Sequence, residues 1–446
     1  MPYRLRRALL SLPFCVSMLS LPLPAAAINN YPIVMVHGFL GFGPDQYTRT
    51  GFKYWGGFDD IVGHMRKQHG AHQVWAASVG SISSNWDRAA ELYYQIKGGC
   101  VDYGTSHTKS FAAFGAVQQP AGKCWAADAL DNPHKYPLAL YPVWDAQHPI
   151  HLVAHSQGGQ TVRALIQLLE NGSPNGDEGG GDLYVGGKTG WVISATTLSA
   201  PHDGTSLRDA IGDFAPAVTR LAGQIAAIAN HGQAKARPHD LKLDKFGIAN
   251  NKAETASAYG ARVRQAPFWD QANYDSAQYE MGPDGAQEFN AWVKTSPNVY
   301  YFSASNSATE AGAACCNQTD RLIAPIQHSK YQYARSDMAA LTRPYAGEWI
   351  VPSNGRRGMG SYTQAEAGRL PVDSSWFKND GVVNTKSMRS PFGQPVRDYD
   401  GVPVRGSWNF LRNYAGYDHF DIIGWPRSGS RAYPIYDTIQ QIIYGL

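Results

Sequence analysis

Short apolar runs alternate with amphipathic stretches along most of the chain. Residues 31–37 and 149–154 are mainly apolar and each leads into a turn that contains glycine, which predicts two buried strands. Residues 85–97 place their apolar side chains three or four positions apart, the spacing of one helix face, and predict an amphipathic helix. The same criteria predict strands at residues 73–79, 191–198 and 298–304, and helices at residues 58–69 and 160–170.

Strands that alternate with helices are typical of the α/β class, in which helices cover both faces of a mostly parallel sheet. The sequence shows no internal repeat and no separate second domain, so residues 28–446 are predicted to form a single domain. Residues 171–188 are glycine-rich and acidic, which indicates a surface loop. Residues 305–377 combine weak periodicity with many Gly, Ser and Arg residues, and are interpreted as an insertion.

One apolar stripe stands out in the segment 206–235. Its members alternate at spacings of four and three residues, which predicts a helix with one continuous apolar face. Pro216 should bend or divide this helix, because proline interrupts the backbone hydrogen bonds. The stripe consists of Leu207, Ile211, Phe214, Val218, Leu221, Ile225 and Ile228.

The first 27 residues have the pattern of a secretory signal peptide. Residues 4–7 form a basic leader, residues 8–23 are largely apolar, and residues 25–27 are three alanines at which cleavage is expected. A membrane anchor is the alternative, but Pro13 and Pro22 interrupt an apolar run that is already short for a spanning helix. The chain is therefore predicted to be secreted.

The charge balance argues against nucleic acid as a partner. The chain has 39 basic and 36 acidic residues, a net charge of +3, and no basic run or face. This balance gives no electrostatic reason to expect nucleic acid as a partner. No later segment is apolar over a bilayer-spanning length, so the mature protein is expected to have no transmembrane segment.

Export also determines how the cysteines are interpreted. Cys15 lies in the leader, which leaves four cysteines in an oxidising compartment and three possible pairings. Local pairing of Cys100 with Cys124, and of Cys315 with Cys316, closes the shortest loops. A disulfide between adjacent residues is strained, so the second pair is the weaker prediction.

Residues 154–159, Ala-His-Ser-Gln-Gly-Gly, carry the sharpest chemical signal. They follow a predicted strand and begin a predicted helix, which is the context of a nucleophile elbow. The small residues Ala154 and Gly158, two positions before and after Ser156, allow the strand and the helix to approach closely. Ser156 is therefore the predicted nucleophile, rather than a serine in a structural turn.

A serine nucleophile needs a base and an acid, and in nucleophile-elbow enzymes the chain order is Ser, then Asp or Glu, then His. His419 is the one histidine after residue 380 and is the predicted base. Asp380 is the preferred acid because it lies in a turn that runs into an apolar segment. The other candidates lie in more polar stretches or, for Asp418, adjacent to the histidine; they are Asp373, Asp398, Asp400 and Asp418.

The tetrahedral intermediate of such a reaction needs two backbone N–H donors for its oxyanion. The residue after the nucleophile, Gln157, supplies one of them. The other comes from a loop after an early strand, and residues 37–41 (His-Gly-Phe-Leu-Gly) fit that place. Phe39 is the predicted second donor.

Taken together, these stretches resemble the thermoalkalophilic bacterial lipases from about residue 32 to about residue 424. The resemblance implies an α/β-hydrolase catalytic domain, Ser156, Asp380 and His419 as its triad, and hydrolysis of acylglycerol esters at a lipid–water interface. It also implies that residues 206–235 form a lid, where periodicity alone favours an ordinary core helix. The matching runs are residues 32–39, 51–57, 83–89, 99–104, 154–161, 201–205, 242–244, 379–385 and 418–419.

The resembled lipases hold a zinc ion with two aspartates and two histidines. The motif matches place Asp87, His107 and Asp244 at three of these positions, and the fourth falls on Phe111, which cannot bind a metal. A structural zinc site needs four ligands, so we expect no tightly held zinc. A Cys100–Cys124 disulfide would instead restrain this segment.

The calcium site of the same lipases is also incomplete. Asp421 can stand for one carboxylate ligand, but the second position is Trp425. Calcium requires six or more oxygen ligands, so its binding is left open. The predicted chemistry itself requires no cofactor.

Two alternatives to a triacylglycerol lipase are kept. Some members of the wider group cleave polyesters, so an extracellular polyester hydrolase with the same triad is the first. A non-catalytic lipid-binding relative is the second, since a fold does not fix a function. The complete set of Ser156, Asp380 and His419 argues against the non-catalytic alternative.

Overall fold

The computed structural model describes residues 29–68, 73–128, 135–174, 181–211, 214–230, 239–249, 254–311, 320–322, 359, 362–425 and 429–446. Its strands are β1 (Ile33–Val36), β2 (Val74–Ala76), β3 (Gly99–Cys100), β4 (Cys124–Trp125), β5 (Ile150–His155), β6 (Val192–Leu198), β7 (Tyr300–Ser307), β8 (Thr309–Ala311), β9 (Asp320–Leu322), β10 (Val396–Asp398) and β11 (Trp408–Ala415). Seven of these strands form one sheet in the order β10–β11–β7–β6–β5–β1–β2. Every neighbouring pair in this sheet is parallel.

The helices are α1 (Ile61–Lys67), α2 (Asn85–Lys97), α3 (Thr105–Ser110), α4 (Gly158–Asn171), α5 (Leu207–Ile211), α6 (Phe214–Ala229), α7 (Ala256–Arg264), α8 (Ala277–Glu280), α9 (Pro283–Trp292) and α10 (Gly429–Tyr444). The predicted helix at residues 85–97 is confirmed with the same bounds. The side chain of Ser84 caps it by accepting a hydrogen bond from the Asp87 N–H. Gly98, with φ of 103°, ends it in a conformation that favours glycine.

Side chains of β1 alternate between two hydrophobic clusters, because successive residues of a strand point to opposite faces of a sheet. Ile33 and Met35 belong to the cluster that also contains buried residues of α1 and α10. Val34 and Val36 belong to the cluster that contains buried residues of α2 and α4. Helices therefore cover both faces of the parallel sheet, as the alternating pattern predicts.

The predicted Cys100–Cys124 disulfide is confirmed, and it joins the short antiparallel strands β3 and β4. In segment 206–235 the structure describes the two helices α5 and α6; residues 212–213 between them and residues 231–235 lie outside the described part of the chain. Pro216 lies in the first turn of α6. A missing N–H removes no intrahelical hydrogen bond there.

Several sequence predictions fall outside the described residues. They concern the leader 1–27 with Cys15, the cysteines Cys315 and Cys316, and most of the insertion 305–377. Within the described part of the chain, no helix combines the length and apolar character that crossing a membrane requires.

Candidate active site

Ser156 lies in the sharp turn between β5 and α4, with a positive φ of 58° that is rare for a residue other than glycine. Close packing explains the small residues around it. A Cβ on Gly158 would lie 2.4 Å from the carbonyl oxygen of Val36, and a Cβ on Gly38 would lie 2.4 Å from the Cβ of Ser156. The turn thus has the strained geometry of a nucleophile elbow.

His419 and Asp380 are hydrogen-bonded to each other, with 2.7 Å between Nδ1 and Oδ2. A carboxylate only accepts, so Nδ1 of His419 donates this hydrogen bond, and Nε2 is the ring nitrogen left to accept a proton. Asp380 is held by backbone N–H groups of Val382 and Val383, which donate to its Oδ1 at 3.0 and 2.8 Å. Both partners are buried.

The other candidate acids have different partners. Asp373 caps a short 3₁₀ turn. Asp398 pairs with Arg389, and Asp400 pairs with Arg397. Asp418 accepts hydrogen bonds from the N–H groups of residues 420 and 421, so it shapes the turn that follows His419. Of these carboxylates, Asp380 is the one that contacts the imidazole.

Ser156, His419 and Phe39 line one apolar pocket. Helices α5 and α6 contribute to its wall, as do the loops that carry Asp380 and His419. Apolar side chains on this wall include Leu207, Leu221, Ile225, Met281, Val382 and Phe420.

The two predicted oxyanion donors flank the elbow. Phe39 belongs to the loop after β1, residues 37–41, which we name the oxyanion loop. Gln157 lies at the N-cap of α4, where the helix dipole favours negative charge. The Gln157 side chain donates from Nε2 to the carbonyl of Ser83 at 2.9 Å, which fixes the residue.

Residues 29–324 match the profile of the family described as "Lipase-like, C-terminal domain". The chain belongs to this family. It is 33% identical to EstA from Clostridium botulinum, with a TM-score of 0.77 over 95% of this chain and 90% of that one. Lipase 1 from Pelosinus fermentans is also 33% identical, with a TM-score of 0.70 over 93% and 99%.

Among curated relatives, a lipase from Staphylococcus epidermidis is 29% identical over 426 residues, 94% of this chain and 53% of its own length. The chain spans about half the length of the curated relatives it matches. The solved relatives and the parallel sheet with helices on both faces identify the architecture as the α/β-hydrolase fold.

Three residues around this lipase-like site are not predicted from the sequence. Arg88 of α2 donates to the carbonyl of His37 in the oxyanion loop, and its Nε donates to Thr161 of α4 at 2.7 Å. Tyr54 and His155 are the others; each lies against the pocket. All three occur in runs shared with the resembled lipases, so the sequence marks these positions as part of the shared motifs. The runs alone do not indicate what each side chain does.

The predicted zinc ligands are only partly brought together. Asp87 and His107 cluster with Asp275, with ligand atoms that lie within 4.8 Å of one another. Asp244 lies outside this cluster: its carboxylate is a third exposed and lies 3.9 Å from the Lys123 ammonium. It begins a 3₁₀ turn, and that turn directs the next side chain into the cluster instead.

That next side chain is Lys245, and its ammonium takes the central position. Its Nζ lies 2.5 Å from Oδ1 of Asp87 and also bonds to Oδ2 of Asp275. Burial opposes the charged form, but attraction to Asp275 and Asp87 outweighs it and raises the pKa of Lys245 above its usual value. Zinc would have to displace a paired cation, so these residues do not fit the zinc site that the resemblance implies.

The predicted calcium positions have other partners. Asp421 accepts the Asp418 N–H at Oδ2 over 2.8 Å. Trp425 donates its indole N–H to the carbonyl of Tyr54 at 2.7 Å. Trp425 has no oxygen to offer where the resemblance places a second carboxylate, so these two positions do not reproduce the calcium site that the resemblance implies.

Proposed function

We propose that this chain is a secreted carboxyl-ester hydrolase that acts on acylglycerols. The observation that carries the proposal is Ser156, strained in its elbow, on an apolar pocket shared with a histidine that is bonded to a buried carboxylate. Names of the relatives, lipase and EstA, support the same reaction class. The leader-like sequence at residues 1–27 supports export.

In the proposed acylation, Oγ of Ser156 attacks the ester carbonyl while Nε2 of His419 accepts its proton. Asp380 keeps the imidazole in the tautomer that leaves Nε2 free to do this, and it stabilises the imidazolium. Backbone N–H groups of Phe39 and Gln157 stabilise the oxyanion. His419 then protonates the departing alcohol.

Deacylation repeats the sequence with water. His419 removes a proton from water, the hydroxide attacks the acyl ester of Ser156, and the fatty acid leaves as the serine regains its proton. Each proton transfer runs between side chains of this protein and substrate or water, so the proposed chemistry requires no cofactor. Zinc is not part of the proposal, because the Lys245 ammonium is already paired with the carboxylates of the cluster. Calcium is not part of it, because Trp425 stands where the resemblance would place a carboxylate ligand.

We further propose that α5 and α6 are a lid. Leu207, Leu221 and Ile225 cover the pocket from these helices. If the helices move away, this apolar wall becomes a surface that a lipid interface can cover. An acylglycerol emulsion offers such an interface.

A paired assay tests the proposed function against its alternatives. The purified protein should hydrolyse a triglyceride emulsion faster than a polyester film, because the covered pocket suits a mobile acyl chain better than a solid polymer. Fatty acid titration and soluble-oligomer release measure the two rates. Faster film hydrolysis would establish the polyester hydrolase, and no hydrolysis of any ester would leave the lipid-binding relative.

The lid predicts a jump in rate when a short-chain ester passes its solubility limit. Leu221→Asp should lower the ratio of the emulsion rate to the rate on the dissolved ester, since a carboxylate on the pocket face of α6 resists burial under lipid. Gly223→Asp is the matched control on the same helix, at an exposed position with open space. Smooth saturation in the wild type, or equal jumps in both variants, would contradict the lid.

A further inference from the structure

A chain of hydrogen bonds runs beneath the pocket from the oxyanion loop to the backbone of His419. The N–H of Gly38 donates to Oη of Tyr54 at 2.9 Å. Oη of Tyr54 lies 2.6 Å from Nδ1 of His155, and Nε2 of His155 lies 3.0 Å from the carbonyl oxygen of His419. Tyr54 and His155 are 5% and 1% exposed, so water does not compete for these bonds. The proposed mechanism does not otherwise use either side chain.

The direction of every bond in the chain follows from its ends. A carbonyl oxygen only accepts, so Nε2 of His155 carries a proton and donates to His419. Burial and the neighbouring His419 hold the pKa of His155 well below its usual value, so the ring is neutral and its Nδ1 has a lone pair. The Tyr54 hydroxyl therefore donates to Nδ1. Its oxygen is left to accept the N–H of Gly38.

We propose that Tyr54 and His155 are positioning residues for the ester hydrolysis described above, an inference that rests on the proposed function. Together they join three parts of the machinery that lie far apart in the sequence. Gly38 precedes the oxyanion donor Phe39, His155 precedes the nucleophile Ser156, and His419 is the base. One hydroxyl and one imidazole set the spacing of all three.

The Tyr54 hydroxyl is the sensitive part of this arrangement. Without it, the carbonyl of His419 still holds the proton on Nε2 of His155, but Nδ1 loses its donor and the N–H of Gly38 loses its acceptor. Two buried polar groups are then unsatisfied, and the imidazole and the oxyanion loop can shift. The ring centroids of His155 and His419 are 4.5 Å apart, so such a shift is passed directly to the base.

Tyr54→Phe tests the proposal, with Tyr47→Phe as its matched control. Tyr47 is also a buried tyrosine whose hydroxyl bonds to Nδ1 of a buried histidine, His239, at 2.9 Å. Both changes remove a hydroxyl of the same kind, so we expect similar melting temperatures. On a soluble p-nitrophenyl ester, Tyr54→Phe should lower kcat by about 10- to 100-fold with KM unchanged, because misplacement affects the reacting geometry rather than binding. Tyr47→Phe should keep the wild-type kcat.

His155→Gln and His155→Leu extend the test. The glutamine amide carries an acceptor oxygen and a donor NH₂ group on one carbon and can replace both bonds of the imidazole, whereas leucine replaces neither. We expect His155→Gln to retain more of kcat than His155→Leu. The ¹⁵N shifts of the His155 ring supply a readout that does not depend on activity. They should report a proton on Nε2 in the wild type and in Tyr54→Phe, with the Nδ1 resonance shifted in Tyr54→Phe by the loss of the hydroxyl donor.

The outcomes separate this inference from the proposed function. Wild-type protein without esterase activity overturns the function, while the ¹⁵N shifts still report on the hydrogen-bond chain. An active wild type overturns the positioning role if Tyr54→Phe keeps its kcat, if Tyr47→Phe loses as much, or if Nδ1 of His155 carries the proton. Loss of kcat in Tyr54→Phe alone, with the expected tautomer, supports it.

Discussion

Ser156→Ala and His419→Ala should each lower kcat for ester hydrolysis by about 10⁴- to 10⁶-fold, since nucleophile and base act as one unit. Asp380→Asn should cost about 10³- to 10⁴-fold, because an amide that donates to Nδ1 selects the wrong tautomer of His419. All three variants should fold. Initial-rate assays on a soluble ester measure kcat, and circular dichroism checks that each variant is folded.

Two conservative variants serve as controls for the acid. Asp373→Asn and Asp400→Asn change carboxylates that also satisfy the chain order Ser, Asp, His. Both lie on exposed turns. Both should keep wild-type kcat. The assignment of Asp380 would be wrong if one of them lost activity while Asp380→Asn did not. An acyl-enzyme trapped on a residue other than Ser156 would overturn the mechanism itself.

The fold was predictable because local signals and long-range packing agree in its central part. The predicted strand at residues 149–154 is observed as β5, and the predicted helix at residues 160–170 as α4, each within two residues. Both are buried runs whose periodicity reports their environment directly. The site followed from them: a serine between that strand and that helix has one place in a parallel sheet, at the carboxyl end of the strands.

The parts that were not predictable depend on contacts between distant segments. Asp275 has no motif around it that indicates a ligand, and it meets Asp87 only because α2 and the loop before α8 pack together. The run Lys-Leu-Asp at residues 242–244 predicts Asp244 as a ligand through the family resemblance, yet the 3₁₀ turn that Asp244 begins directs Lys245 inward. Likewise, the hydroxyl of Tyr54 gains its partners from residues 38 and 155 only in the folded chain.

Lys245→Ala should lower the free energy of unfolding by about 3–5 kcal/mol, since it removes the ammonium that is bonded to both buried carboxylates. Asp87 and Asp275 are both fully buried in the ion cluster, so water cannot replace the ammonium. Lys53→Ala is the control: its ion pair with Asp60 is 3.9 Å long and half-exposed, and its loss should cost less than about 1 kcal/mol. Urea denaturation gives both values.

The same variant tests whether the ammonium stands in place of a divalent cation. With Lys245 gone, Asp87, His107 and Asp275 can offer three ligands, and zinc with a water molecule as fourth ligand should restore part of the lost stability. Wild-type protein should gain nothing from zinc and lose nothing to a chelator, because the Lys245 ammonium is already bonded to both carboxylates. One equivalent of zinc that survives dialysis of the wild type, measured by elemental analysis, would contradict this account. A zinc-dependent rise in melting temperature confined to Lys245→Ala would show that the Lys245 ammonium occupies the place that a divalent cation can take in this buried cluster.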